Sequence, residues 1–125
     1  MCGITGFLVS NRNKDLNYKK KIYQMTDIIS HRGPDGFGFW HSNDKDVFFG
    51  HRRLSIIDLS KNGKQPMLSN NRRYVISFNG EIYNHKILRN HLIKNKNVKF
   101  SNRTDTQVIL ELISYYGLEK TLKKL

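Results

Sequence analysis

Residues 1–9 read Met-Cys-Gly-Ile-Thr-Gly-Phe-Leu-Val, a segment that becomes apolar within the first residues of the chain. The β-prone run at residues 4–9 predicts a strand that begins almost at the terminus. A terminus that leads directly into a core strand is tied down instead of frayed. We therefore expect Cys2 to be held in a fixed position at the start of this strand.

The rest of the chain mixes short β-prone runs with helical segments and contains no internal repeat. Strands are predicted at residues 37–40, 47–49, 54–59 and 74–78. Helices are predicted at residues 18–29, 84–93 and 106–116. Because the strands follow in hairpin-like order and the helices gather separately, the pattern indicates an α+β fold with an antiparallel sheet.

The helix at residues 106–116 has the clearest end signals. Thr104 and Gln107 have the spacing of a capping box, and Gly117 suits the position just after a helix. A further apolar pattern, at Leu118, Leu122 and Leu125, is still open at the last residue. We therefore expect this chain to be the N-terminal part of a longer protein.

Composition restricts the classes of function. The 125 residues carry 22 Lys and Arg against 10 Asp and Glu, a formal charge of +12 that leaves a nucleic-acid-binding module open as an alternative. The basic residues are spread along the chain beside asparagines, however, which is typical of a solvated surface. A single cysteine excludes an internal disulfide and a multi-cysteine zinc site. With no membrane-length apolar run and no signal-peptide pattern, we expect a cytoplasmic protein without a membrane partner.

Cys2 carries the most specific chemical signal. Removal of the initiator methionine would give this residue a free α-amino group as well as a thiol. An α-amino group titrates near about 7.7–8.0, so at neutral pH it can accept the proton of the thiol, directly or through a water molecule. The alternative is a small apolar residue at an arbitrary position.

A cysteine that attacks an amide also needs donors for the developing oxyanion. Asn79 and Gly80, directly after a predicted strand, could supply a side-chain amide and a backbone N–H, although the same pair is common in hairpin turns. An amino-acid substrate further needs a cation for its carboxylate and an acid for its ammonium group. Candidates for these two roles are Arg52, Arg53, Glu81 and Asp105, and spacing alone does not choose among them. The residues by themselves thus indicate an N-terminal-nucleophile amidohydrolase.

Six motifs, in order, resemble class II glutamine amidotransferase domains, and among these the glutaminase domain of glutamine-hydrolysing asparagine synthetases. The resemblance runs from residue 1 to about residue 117. The motifs are Met-Cys-Gly-Ile (1–4), His-Arg-Gly-Pro-Asp-Gly (31–36), His-Arg-Arg-Leu-Ser-Ile-Ile-Asp (51–58), Gln-Pro-Met (65–67), Asn-Gly-Glu-Ile-Tyr-Asn (79–84) and Thr-Asp-Thr (104–106).

The resemblance implies an N-terminal-nucleophile hydrolase fold, a four-layer αββα sandwich of antiparallel sheets that would be incomplete in this chain. It also implies that L-glutamine is hydrolysed to glutamate and ammonia. The ammonia would pass to a downstream synthetase domain that converts aspartate to asparagine with ATP and Mg²⁺. No cofactor or metal is implied for the present domain, and a homodimer of the parent enzyme is left open.

The same resemblance implies a role for each matching residue. Cys2 is the nucleophile, and Asn79 and Gly80 form the oxyanion hole. Arg53 binds the α-carboxylate of glutamine, and Glu81 and Asp105 face its α-ammonium group. Backbone that shapes the same pocket comes from Leu54, Ser55, Ile56 and Ile57. The motifs at residues 31–36 and 65–67 are interpreted as architecture.

Two alternatives stay open beside the nucleic-acid module. The first is the same glutaminase in a related enzyme that amidates another acceptor, since the acceptor domain is not part of this sequence. The second is a non-catalytic docking domain, against which the joint presence of Cys2, Asn79, Gly80 and Asp105 argues. Other class II amidotransferases fit less well around the Arg-Arg motif and after Asn79-Gly80.

Overall fold

The computed structural model describes residues 1–10, 17–55 and 60–125 of the chain. Their contacts divide them into two compact units. Unit 1 contains the described residues of Met1–Ile56, Lys64–Pro66 and Ser77–Asn79. Unit 2 contains those of Ile57–Gly63, Met67–Ile76 and Gly80–Leu125. Two short runs from the middle of the chain therefore belong to the same unit as the N-terminal strand.

Unit 1 is built on a three-stranded antiparallel sheet with the strand order β1-β3-β2. The strands are β1 (Gly3–Leu8), β2 (Gly36–His41) and β3 (Val47–Arg53), and the helix α1 (Tyr18–Ile28) packs against them. These elements confirm the strands predicted at residues 4–9, 37–40 and 47–49 and the helix predicted at 18–29. β3 continues beyond the predicted end, so that its last residue is Arg53.

The helix lies close to the centre of the sheet because β3 has a glycine there. A β-carbon at Gly50 would lie 2.9 Å from the Thr5 methyl group and would overlap the Thr26 hydroxyl of α1. Thr26 is fully buried, and its hydroxyl donates a hydrogen bond of 2.7 Å to the Ile22 carbonyl. Since alternate residues of a strand point to opposite faces, His51 and Arg53 lie on the other face of the sheet.

Unit 2 combines a two-stranded hairpin with three helices. The strands β4 (Met67–Leu68) and β5 (Val75–Ile76) pair antiparallel, and α2 (His85–Lys96), α3 (Asp105–Tyr116) and α4 (Leu118–Leu122) follow. Leu92, Val108 and Leu112 have no exposed surface and form part of its core. Antiparallel sheets together with helices that follow them confirm the predicted α+β class.

The predicted strand at residues 74–78 is wrong in extent, because only Val75 and Ile76 form ladder pairs. The Tyr74 carbonyl instead accepts a hydrogen bond of 2.9 Å from the Ser69 backbone N–H and closes the hairpin turn. After Ile76, Ser77 and Phe78 make hydrogen bonds to side chains of unit 1. The segment therefore leaves the ladder just before Asn79.

The strand predicted at residues 54–59 is wrong for Leu54 and Ser55, the two of these residues that the structure describes. β3 has already ended at Arg53, and Leu54 and Ser55 lie outside any strand. Residues 56–59 lie outside the described residues. The main chain at Leu54 is therefore free of ladder pairing, and its backbone groups are directed at another partner, Cys2.

The helix caps bear out part of the predicted signals. Thr104 Oγ1 accepts a hydrogen bond of 3.2 Å from the Gln107 backbone N–H, as in a capping box, but the Thr104 backbone N–H donates to Asn102 Oδ1 at 2.9 Å and not to Gln107. Gln107 Oε1 instead accepts the backbone N–H groups of Ser101 and Asn102 at 3.2 and 3.1 Å. Gly117 ends α3 with a φ of 79°, as predicted for that position. Among the described helices, none is long and apolar enough to cross a membrane.

Candidate active site

Cys2 lies beside the end of β3 and is held there by main-chain groups. Its half-buried side chain carries a free thiol, and Sγ accepts a hydrogen bond of 3.3 Å from the Leu54 backbone N–H. The thiol also lies 3.6 Å from the Leu54 carbonyl, to which it can donate. These contacts join residues 52 positions apart in the chain, and they place the sulfur next to the residue that follows Arg53.

The backbone around Cys2 is fixed as well. Arg32 Nε donates a hydrogen bond of 3.2 Å to the Cys2 carbonyl. Gly3, the next residue, is buried, and a β-carbon there would lie 3.0 Å from the Ile29 side chain. The N-terminal residues therefore have little freedom to move relative to the sheet.

Residues 31–36 form the connector that leads from α1 into β2, and this connector also contacts the end of β3. The Asp35 backbone N–H donates to the Arg53 carbonyl at 3.1 Å, and the Asp35 carboxylate accepts the Ser55 N–H at 2.7 Å. A β-carbon at Gly33 would lie 2.5 Å from the Arg52 carbonyl carbon, so this position requires close backbone approach. The path from Arg53 to Ser55 is thus fixed by the connector.

The two arginines at the end of β3 have different surroundings. Arg52 lies on the face that meets α1, where its guanidinium forms a salt bridge of 2.6 Å with Asp27. Its Nε donates to the Thr26 carbonyl at 2.9 Å, and the guanidinium stacks over the Phe37 ring. Arg53 points to the opposite face, which it shares with His51. The structure therefore separates two candidates that sequence spacing could not.

His51 is a buried residue for which the sequence motifs predict no role. Its ring has no exposed surface, and Nδ1 is hydrogen-bonded to Ser77 Oγ at 3.0 Å. Burial, and to a smaller extent the positive charge of Arg53, lowers the pKa of His51 from 6.5 to about 4. The ring is therefore uncharged at neutral pH. Only its position in the His-Arg-Arg motif could have indicated it from the sequence.

Asn79 ends a short segment that side chains of unit 1 hold in place. The Phe78 backbone N–H donates a hydrogen bond of 2.6 Å to Gln65 Oε1, and Ser77 contacts His51. Asn79 itself is exposed. Its amide group is thus available to solvent or to a ligand, while the two residues before it are fixed.

The remaining predicted residues belong to unit 2. Gly80 and Glu81 are exposed, whereas Asp105 is 5% exposed at the first position of α3. One carboxylate oxygen of Asp105 accepts the Ile82 backbone N–H at 2.9 Å, and the other accepts that of Thr106 at 2.8 Å. Asp105 therefore fixes the main chain two residues after Gly80.

The structure places the predicted site residues in two groups. Those of unit 1 are Cys2, Arg53, Leu54, Ser55 and Asn79. Those of unit 2 are Gly80, Glu81 and Asp105. Ile56 and Ile57 lie outside the described residues. A separate cavity of about 320 Å³ lies on the α1 side of unit 1, lined by Tyr23, Gln24, Asp27, Phe37, Phe39 and Arg52. Arg52 was a candidate from spacing alone, and none of the described residues to which the family resemblance assigns a site role lines this cavity.

Several known proteins resemble this chain along most of its length. A family model described as the glutamine amidotransferase domain matches residues 1–125. Asparagine synthetase (glutamine-hydrolyzing) 1 of Bacillus subtilis (strain 168) is 42% identical over 126 residues, covering 98% of this chain and 19% of the relative. Asparagine synthetase (glutamine-hydrolyzing) 3 of the same organism is 38% identical, covering 88% of this chain and 17% of the relative.

A third relative has a different name. Amidase chry2 of Gibberella zeae is 36% identical over 126 residues, covering 94% of this chain and 18% of the relative. The chain therefore spans about a fifth of the length of the curated relatives it matches. These matches confirm the resemblance predicted from the six sequence motifs.

Proposed function

Because the chain belongs to the glutamine amidotransferase domain family, we propose that it hydrolyses the side-chain amide of L-glutamine to glutamate and ammonia. The observation that carries this proposal is the placement of Cys2, whose sulfur lies 3.3 Å from the Leu54 nitrogen. That contact joins the only thiol of the chain to the residue that follows Arg53. A fixed thiol and an anion-binding cation are what the attack on an amino-acid amide requires.

The proposed reaction begins with the removal of Met1, which leaves Cys2 with an α-amino group that takes the proton from the thiol. The thiolate attacks the amide carbon, and the Asn79 side-chain amide and the Gly80 N–H stabilise the oxyanion. Ammonia leaves with the proton that the amino group held, and a γ-glutamyl thioester with Cys2 remains. Water then hydrolyses the thioester, which releases glutamate and restores the thiol.

Arg53 is proposed to bind the α-carboxylate of glutamine, with Glu81 and Asp105 at the α-ammonium group. The positions of the two arginines support this choice, because Arg52 is directed at Asp27 on the α1 face and Arg53 lies on the opposite face of β3. The backbone of residues 54–57 would shape the same pocket. For Leu54 and Ser55, this role agrees with their irregular path after the end of β3.

The complete domain is proposed to have the N-terminal-nucleophile hydrolase fold, a four-layer αββα sandwich of which this chain is the N-terminal part. In the longer protein, a synthetase domain would use the ammonia, with ATP and Mg²⁺, to convert aspartate to asparagine. Two of the three relatives described above bear the name asparagine synthetase. The third is named an amidase, which favours as a second candidate a glutaminase that feeds a different acceptor.

The proposal is tested by the intact mass of the protein after treatment with 6-diazo-5-oxo-norleucine, a glutamine analogue that alkylates such cysteines. We expect a species without Met1 that carries one adduct on Cys2. The matched control is Cys2→Ala, which should stay unlabelled. A folded protein that gains no adduct, or gains it at another residue, would contradict the proposal.

Arg53→Lys is expected to raise the KM for glutamine about 10-fold with little change in kcat. A bidentate guanidinium becomes a point charge, so ground-state binding of the α-carboxylate weakens. Steady-state glutaminase kinetics measure the change. Arg52→Lys is the matched control, since its side chain faces α1, and it should leave KM within about twofold. A larger rise in KM for Arg52→Lys than for Arg53→Lys would transfer the role to Arg52.

A further inference from the structure

Two buried side chains from distant parts of the sequence meet the short segment Ser77–Asn79. His51 reaches it across 26 residues of sequence and contacts the Ser77 hydroxyl at 3.0 Å. Gln65 reaches it across 13 residues and accepts the Phe78 backbone N–H at 2.6 Å. All of these residues belong to unit 1. The segment is thus held by side chains immediately before the exposed Asn79.

His51 is a rigid support for this contact. It lies in the central strand β3, with Ile4 of β1 and Gly38 of β2 as its register partners. Its side chain has no exposed surface, and the ring is uncharged at neutral pH because burial lowers its pKa to about 4. The His51 ring is uncharged and packed within the sheet. It therefore presents Nδ1 to the Ser77 hydroxyl from a fixed position.

Gln65 is anchored to the same sheet. The residue is 7% exposed, and its backbone carbonyl packs directly against Gly38 on β2. The amide oxygen of Gln65 is therefore fixed relative to β2, just as the ring of His51 is fixed relative to β3. Both contacts connect the segment Ser77–Asn79 to the three-stranded sheet. At the end of this sheet, Cys2 accepts the hydrogen bond from the Leu54 backbone N–H.

From this arrangement we infer that His51 and Gln65 are positioning residues, which hold Ser77 and Phe78 so that Asn79 presents its amide to the oxyanion. The inference rests on the proposed function, because it assigns a task to the support of Asn79. Oxyanion donors act through preorganised distances, and a shift of about 1 Å can lower a rate about 100-fold. Loss of either contact should therefore lower kcat more than it changes KM.

The first test is Ser77→Ala, which removes the hydroxyl that His51 contacts and changes little volume. We expect kcat for glutamine hydrolysis to fall about 10-fold, with KM within about twofold. Ser77→Thr keeps a hydroxyl and should retain most of the activity. His51→Asn, which places an amide near the position of Nδ1, should retain more activity than His51→Leu. Asparagine cannot take up a proton near neutral pH. An active His51→Asn variant would therefore show that His51 acts as a support and not as a proton acceptor.

A double-mutant cycle with Asn79 distinguishes positioning from general stability. In an Asn79→Ala background, adding Ser77→Ala should lower kcat less than about twofold, since the group it positions is gone. A full 10-fold loss in that background would overturn the inference, and so would an unchanged kcat in Ser77→Ala. Both results leave the proposed function standing if the wild-type protein hydrolyses glutamine. A wild-type protein without that activity would overturn the proposed function and this inference together.

Discussion

Cys2→Ala is expected to abolish glutamine hydrolysis, with kcat reduced at least about 1,000-fold, because no other described group can form the thioester. The substitution removes the sulfur that Leu54 N–H contacts at 3.3 Å but leaves the Arg32 contact to the Cys2 carbonyl in place. We therefore expect the variant to fold. The loss is measured as the rate of ammonia release from glutamine.

Two controls show whether the loss is chemical. Cys2→Ser keeps a group that can accept the hydrogen bond from Leu54, yet its hydroxyl is a far weaker nucleophile, so activity should still be lost. In the proposed longer protein with a synthetase domain, amidation of its acceptor with added ammonium chloride should continue in both variants, because that reaction bypasses the thiol. Retention of glutaminase activity by Cys2→Ser within about 10-fold of wild type would refute the role of the thiol. Loss of ammonia-dependent amidation as well would assign Cys2 a structural role.

The parts of the fold that follow from local patterns were predictable. The β-prone run at residues 4–9 and the helical spacing at 18–29 predicted the observed β1 and α1 to within about one residue at each end. The run at residues 74–78 has the same strand-like composition, but Tyr74 is used to close a turn and Ser77 and Phe78 bond to distant side chains. Such partners are set by the tertiary fold, and no local pattern contains them.

The candidate site shows the same division. The motifs identified Cys2 and the pair of arginines, because the chemistry of those residue types is local. Strand alternation places the two arginines on opposite faces of β3. Which of the two faces α1 is decided by the side of the sheet that the helix covers, and that is a property of the tertiary fold. The supporting contacts of His51 with Ser77, and of Asp105 with Ile82, join residues 26 and 23 positions apart. They become visible only when the chain is folded.

Gly38→Ala is expected to lower the free energy of unfolding by about 3 kcal/mol, near the upper end of the usual cost of overpacking. A β-carbon at Gly38 would overlap the Gln65 carbonyl oxygen and lie 3.0 Å from its carbonyl carbon. Backbone atoms cannot rotate away as a side chain can, so the run Lys64–Pro66 must move off β2. That shift also withdraws the Gln65 amide oxygen from the Phe78 N–H.

The matched control for this prediction is Gly36→Ala on the same strand. Among the described residues, a β-carbon at Gly36 would meet only the Arg53 β-carbon, at 4.0 Å, which is an ordinary contact. We expect thermal unfolding to show a Tm lower by about 10 °C for Gly38→Ala and within about 2 °C of wild type for Gly36→Ala. If the two variants unfold at the same temperature, the packing of Gln65 on β2 does not stabilise unit 1. In that case Gln65 would also lose its anchor in the support of Asn79.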